Sequence, residues 1–266
     1  MSRGRTWLEA LTGTHASPWQ TPSVIYADAR WGLGPVRAIC VIPDPQARFS
    51  RARHGQFGIE EGWAVARCIR AAMEEDASHE PRAILAVVDV PGQAFGFHEE
   101  ALALHQSLAA SVDAYASARR AGHPLIALVV GKAISGAFLA HGLQAGLVVA
   151  LDDPQVEIHV MPVASVARVT KRTLQEVTDL EKSLPPIARD VHSFASLGGI
   201  DHLATCNSAD SPDGASVARI RKELQEGFQQ LRKNAREPKD RLSAATASDS
   251  RRMSRLVRAK LEAEWD

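Results

Sequence analysis

Between Val129 and Gly146 an apolar run ends in Gly131-Lys132, a Ser135-Gly136 pair follows, and an alanine-rich helical pattern begins. Small residues at a strand-to-helix junction admit two readings: close packing of helix on strand, or backbone N–H groups turned toward a ligand. Two other segments share the arrangement, ARHGQFGIEEG (residues 52–62) and VVDVPGQAFGFHEE (residues 87–100). Unpaired amides at the start of a helix favour negative charge. Such turns can therefore form an oxyanion hole for an enolate or a tetrahedral oxyanion. For any one of them alone, close packing is the simpler account.

The side chains around these turns carry their own alternatives. Lys132 could supply a cation for a carboxylate, or simply snorkel to solvent. His141 lies five residues beyond Gly136 on the same helical pattern, where a lone histidine is most often a satisfied structural group. Glu99 and Glu100, after His98, are ordinary dipole complements in the first turn of a helix. Arg48, Arg51 and Arg53 sit in the loop ARFSRARHGQ with His54. They could meet phosphates or an acidic protein, or form a plain basic surface loop. Ser135 with His141 or His98 would suggest a serine nucleophile. No Gly-x-Ser-x-Gly elbow is present and no spacing fixes a triad, so Ser135 is assigned no nucleophilic role.

These turns need strands and helices to position them. Val36–Ile42, Ala83–Val90, Pro124–Val130 and Leu147–Leu151 are continuous apolar runs of the kind buried on both faces of a parallel sheet. Gln155–Met161 reads as a further strand and Gly198–Ala204 as a short strand-like return. Helical patterns fall over Ile59–Met73, Glu99–Ala121, Ser135–Ala145, Thr173–Ser183 and Pro186–Leu197. Alternation of this kind predicts an α/β architecture. The expected organisation is an extension over residues 1–35, a main domain over 36–206 and a charged helical region over 207–266. The extension is rich in Gly, Pro, Thr and Trp and is expected to wrap over a partner or the domain's own surface. The last region opens with the linker-like SADSPDG; from Arg219 onward it carries 13 basic and 8 acidic residues. It is either a solvated helical face or a docking surface.

Composition narrows the function classes. The 266 residues, 45% hydrophobic, suffice for a large core. Lys+Arg and Asp+Glu are both 31, which gives no electrostatic case for nucleic acid as a partner. Cys40, Cys68 and Cys206 are dispersed without a CxxC, so neither zinc nor a disulfide framework is expected and a reducing compartment fits. The first residues hold no signal-peptide stretch, and no run of about 18 apolar residues suggests a membrane span. The expectation is a soluble, cytoplasmic protein.

Taken together, the motifs resemble a known family. Val88-Asp89-Val90-Pro91-Gly92 matches a V-D-x-P-G turn, and Gly96-Phe97-His98-Glu99-Glu100 a P-G-x-x-Q-E helix start. Lys132-Ala133-Ile134-Ser135-Gly136-Ala137-Phe138 matches K-A-x-G-G-A-Y, with Ser135 in place of the first glycine of the pair. This series, across about Val36–Ala204, resembles the carboxyltransferase branch of the crotonase superfamily. Within that branch it looks closest to the gamma subunit of biotin-independent malonate decarboxylase. PDPQARFSRARHGQFGIEEGW and SLPPIARDVHSFASLGGIDHL resemble that subunit specifically.

The resemblance implies a crotonase- and Clp-protease-like superhelix of stacked ββα units with a helical C-terminal region. It implies decarboxylation of malonyl-S-acyl-carrier protein to the acetyl form and carbon dioxide. It implies a catalytic turn at Ser135, Gly136 and Ala137, with the Gly136 and Ala137 N–H groups as oxyanion hole and a malonyl carboxylate, departing carbon dioxide or thioester oxygen as its ligand. Gly96, Phe97 and Lys132 would bind substrate; Arg48, Arg51 and Arg53 would meet the carrier. The implied partners are a homologous beta subunit, the acyl-carrier protein and its transferase. The implied chemistry uses the carrier's coenzyme A-derived prosthetic group, with no biotin, metal or directly bound cofactor. The runner-up is the alpha-type half of a biotin-dependent acyl-coenzyme A carboxyltransferase; a third reading is a non-catalytic scaffold that completes a heterodimer.

Overall fold

The apolar run Ala83–Val90 is a strand in the middle of a sheet, and of its eight residues only Asp89 is not fully buried. The structure, a computed structural model, describes residues 2–32, 34–242 and 249–265. The chain opens with helix α1 (Arg3–Thr12), capped by the Ser2 hydroxyl and stopped by Gly13 at φ 71°. Strands β1 (Ser17–Trp19), β2 (Thr21–Trp31) and β3 (Gly34–Val41) follow as an antiparallel series. Then come α2 (Ile59–Glu75), β4 (Ala83–Val90), α3 (Phe97–Ala101), α4 (Leu104–Arg120), β5 (Leu125–Ile134) and α5 (Ser135–Ala140). The chain continues through β6 (Leu147–Leu151), β7 (Glu157–His159), α6 (Val163–Thr170), α7 (Leu174–Glu181), α8 (Val191–Ser196) and β8 (His202–Ala204). Helices α9 (Gly214–Lys233) and α10 (Arg252–Trp265) complete it.

The sheet order is β1-β2-β3-β4-β5-β6-β8, parallel from β3 onward, with β7 also paired to β5. Strand β5 is shared: Ile126–Val129 pair with β6, and Lys132–Ile134 with β7. Because side chains alternate along a strand, Cys40 of β3 faces Gly4 of α1, whereas its neighbour-but-two Arg37 reaches the Cys68 carbonyl of α2. Helices α1 and α9 thus cover one face; α2, backed by α4, covers the other. Helices α2 and α4 approach so closely at Gly62 that a Cβ there would overlap the Ser107 backbone.

Helix α1 closes on residues 209–221. Trp7, fully buried, donates its indole N–H to the Ala209 carbonyl (2.7 Å); Arg3 pairs with Asp210, and Arg221 of α9 donates to the Ala10 carbonyl (2.9 Å). Residues 3–31 therefore supply a helix on the domain's own face and strands of the sheet itself, where a wrapping segment was expected. The charged tail divides in two. Helix α9 buries Val217, Ile220, Leu224, Phe228 and Leu231, a stripe at three- and four-residue spacing, while α10 has no buried residue.

Two helices are shorter than their patterns predict. The stretch Glu99–Ala121 is broken at Ala103, whose φ is 60°, into α3 and α4. Helix α5 ends at Ala140, five residues early, because His141 turns into the core. Among the described residues no helix is long and apolar enough to cross a membrane.

Candidate active site at the carboxyl ends of the parallel strands

Strands β3, β4 and β5 are parallel, so the three glycine-bearing turns that follow them lie at one edge of the sheet, the edge where α/β sheets bind ligands. Hydrogen bonds tie them together. Phe57 N–H donates to the Gly92 carbonyl (2.9 Å), and Ala94 N–H returns to the Phe57 carbonyl (2.8 Å). Glu61, buried in the first turn of α2, fastens the first turn from behind. Its carboxylate accepts from the Ser23 hydroxyl (2.5 Å) and the Gly58 N–H (3.0 Å), and burial pushes its pKa up.

The second turn sets the third. Between Val88–Val129 and Val90–Ala133 the ladder skips residues on β5, a bulge. The Asp89 carboxylate fills the gap and accepts from Lys132 N–H (3.0 Å). Gly131 is required there, because a Cβ would run into that carboxylate. Beyond the bulge, β5 continues to Ile134, and Ser135 takes φ 56°. This left-handed conformation favours glycine, and it is where the family motif has glycine. Gly136 N–H donates to the Gln93 side-chain oxygen (3.1 Å). No side chain caps α5, and among the described residues no side-chain oxygen accepts from Ala137 N–H.

The structure brings Gly136, Ala137 and Ser135 to this edge with Gly96 and Phe97, which open α3 one turn beyond Gln93. Phe97 is 85% exposed, and Phe95, Leu139, Val160 and Met161 are also exposed. Val160 and Met161 leave the end of β7 beside Ile134, so among the described residues an exposed apolar rim borders the turn. Lys132 is exposed, with Glu157 opposite it on β7. The three arginines separate. Arg51 stacks over Phe95 (4.2 Å to the ring centre) and so reaches the turn. Arg53 donates to the Ala47 carbonyl (2.9 Å) within its own loop. Arg48, exposed, lies over Phe49 and lines a surface groove with Trp63 and Arg67.

His141 is fully buried and stacked on Phe57. Its Nε2–H donates to the Val87 carbonyl (3.2 Å), which leaves Nδ1 to accept from the Tyr115 hydroxyl (2.9 Å). Burial without a compensating charge pushes its pKa down to about 4, so it is a neutral structural imidazole. Stability follows from this. The unfolded imidazole takes up a proton as pH falls through about 6.5, and the folded one resists until about 4. The contribution is therefore full above pH 6.5 and is lost as pH falls toward 4, by roughly 3 kcal/mol. Urea unfolding of His141→Gln between pH 7 and 4 is expected to show a flatter pH profile than the parent chain; parallel profiles would refute the assignment.

Sequence reasoning missed Gln93 and the ordering role of Asp89, whose partners lie 43 residues downstream. The one available signal was the Asp of V-D-x-P-G itself. Among the described residues no group of three or more His, Cys, Asp or Glu is placed to hold a metal.

Comparison with known proteins agrees with this fold. A chain of a Pseudomonas malonate decarboxylase hetero-tetramer, solved in complex with coenzyme A, is 45% identical over 98% of this chain and 100% of that one, with a TM-score of 0.91. A chain of the Pseudomonas malonate decarboxylase MdcD–MdcE hetero-dimer is 44% identical over 97% and 99%, with a TM-score of 0.85. The malonyl-S-ACP:biotin-protein carboxyltransferase MADD of Malonomonas rubra is 41% identical over 160 residues, 59% of this chain and 55% of MADD. The chain thus spans about half the length of that curated relative. The α/β architecture is the crotonase-like carboxyltransferase fold. The sequence profile of the malonate decarboxylase gamma subunit matches residues 52–265, and the chain belongs to that family.

Proposed function

We propose that this chain supplies one half of a decarboxylating centre that converts malonyl-S-acyl-carrier protein to acetyl-S-acyl-carrier protein and carbon dioxide. A homologous beta subunit supplies the other half, and the carrier and its transferase complete the complex. The observation that carries the reading is the joining of three glycine-bearing turns at one sheet edge, bordered by an apolar rim that is exposed among the described residues. The MdcD–MdcE hetero-dimer in which a similar chain was solved supports a second subunit over that rim.

The carbon–carbon bond to the carboxylate breaks and its electron pair moves into the thioester, giving an enolate and carbon dioxide. Hydrogen-bond donors at the Gly136–Ala137 turn, which Ser135 shapes, stabilise the oxygen that gains this charge, which is where a transition state differs most from its substrate. A proton is then delivered to the α-carbon by a group the second subunit contributes. Gly96 and Phe97 bound the cleft beside the acyl group, Lys132 offers a cation to the departing carboxylate, and Arg51 on Phe95 meets the carrier's phosphates. Arg48 and Arg53 steer the acidic carrier from farther out.

A second reading has one observation in its favour: the Malonomonas rubra relative is named for transfer to a biotin protein. In that reading the carboxyl group passes to biotin. One experiment separates these readings. The purified chain alone is expected to release no carbon dioxide from a malonyl thioester, and co-expression with the beta subunit is expected to restore turnover that avidin and chelators leave unchanged. Turnover by the chain alone would overturn the shared site, and inhibition by avidin would establish the second reading.

A further inference from the structure

The Gly136 N–H is already occupied in this chain, and the group that occupies it changes what a ligand meets. Gly136 N–H is a donor, so the atom of Gln93 it touches at 3.1 Å is the side-chain carbonyl oxygen. That fixes the amide: Nε2, with two N–H donors, is turned away from the bond. Among the described residues no acceptor meets Nε2. The amide lies against the open side of Gly136, where a Cβ would sit 3.4 Å from Oε1 and 3.7 Å from Nε2. A ligand oxygen approaching Gly136 N–H therefore meets Gln93 first.

Gln93 is also held still. Its backbone forms a parallel bridge with Phe57, flanked by the Phe57–Gly92 and Ala94–Phe57 hydrogen bonds, and its own carbonyl accepts from Phe95 N–H (2.9 Å). An amide whose oxygen accepts a hydrogen bond is polarised, and its N–H groups become better donors.

We propose that the side-chain amide of Gln93 is the donor that touches the reacting oxygen, with Gly136 N–H behind it as the group that orients and polarises it. The inference rests on the decarboxylation reading and names a residue of that same site. The ligand chemistry it recognises is an anionic oxygen of a malonyl group, either the carboxylate or the enolate oxygen of the thioester. The arrangement makes the hole a two-step relay, backbone N–H to side-chain amide to substrate, in place of two backbone donors alone.

Two substitutions test it in the assembled gamma–beta complex, with turnover of a malonyl thioester and calorimetric binding of free malonate as separate readouts. Gln93→Ala uncovers Gly136 N–H. If Gln93 is the donor, kcat falls about 10- to 100-fold, the range for a hydrogen bond to a charged group. If Gln93 merely plugs the amide, kcat is unchanged or rises, and the proposal is overturned. Gln93→Glu keeps an oxygen for Gly136 but turns a carboxylate toward the anion. Its activity is expected to fall further and to recover relative to the parent as pH is lowered and the new carboxyl gains a donating proton, a profile that a structural role would not produce. Weaker malonate binding by Gln93→Ala in a parent complex that lacks turnover would sink the reaction and sustain the donor. Unchanged binding together with unchanged kcat would sink the donor whatever the reaction.

Discussion

Gly136→Val is expected to lower kcat of the assembled enzyme by roughly 10²–10³-fold, the usual cost of losing an oxyanion donor. The geometry predicts a graded series. A single Cβ at this position stands 3.4 Å from the Gln93 oxygen, an ordinary contact, so Gly136→Ala should keep most activity. The γ-methyls of valine extend past that contact, drive the Gln93 amide off the Gly136 N–H and crowd the hole itself, so the cost exceeds that of losing Gln93 alone. Folding should survive, because valine in a helix costs no more backbone entropy than glycine does. Ser135→Gly is the control. It places glycine at φ 56° and removes the hydroxymethyl side chain while keeping the backbone N–H, and it is expected to keep activity. The measurement is kcat alongside size-exclusion of the complex. A tolerated Gly136→Val with an inactive Ser135→Gly would move the chemistry from the amides to the hydroxyl and reduce the family transfer at this turn to a shared fold.

Phe57→Ala is expected to cost about 3–5 kcal/mol of stability, the range for truncating a buried aromatic residue. Phe57 is fully buried, stacks on His141 at 6.1 Å, and carries the backbone groups that hold Gly92 and Ala94. The loss therefore extends beyond a cavity. With the ring gone, the first turn loses its anchor, and the backbone bridge that fixes Gln93 loses the packing behind it. Denaturant unfolding should show the loss, and kcat measured well below the unfolding temperature should also fall. Phe57→Leu, which refills much of the volume, should recover most of both. A variant destabilised by the full amount with an undiminished kcat would separate the core from the site and weaken the account of how the turns are joined.

The sheet was legible because its parallel strands are buried on both faces, and Val36–Ile42, Ala83–Val90 and Leu147–Leu151 therefore appear as unbroken apolar runs. Strand β2 was not, because Pro22, Asp28 and Arg30 interrupt its pattern and because Asp28 is there to pair with Arg37 across the ladder. Helix α1 carried its own signals, the Ser2 cap, the Trp7, Leu8 and Leu11 spacing and the Gly13 stop, beneath a composition that suggested a loose extension. Nothing local announces the break at Ala103, since alanine is an unusual residue at φ 60°. The candidate turn could be located from Gly131 to Ala137 by residue type. What shapes it could not, because Asp89 and Gln93 act across 43 residues. Ser135 marked a departure from the family pattern, and its backbone conformation shows that the glycine geometry is kept with a different residue.

The closure of α1 upon residues 209–221 has a consequence for how the chain is made. Trp7 and Ala209 are 202 residues apart, and the α1 face is completed by residues of α9. At translation rates of about 5–20 residues per second, α1 leaves the ribosome on the order of 10–40 s before the segment that receives its tryptophan. For that interval α1 can settle on β2–β5 as they emerge, but the Trp7 indole N–H lacks its acceptor and the helix lacks its cover from α9. Helix α1, made before the sheet it covers, is thus among the last elements to be finished. Protease trimming of ribosome-bound chains stalled before and after Ala209 would show this as a switch from cleavable to protected within the first dozen residues.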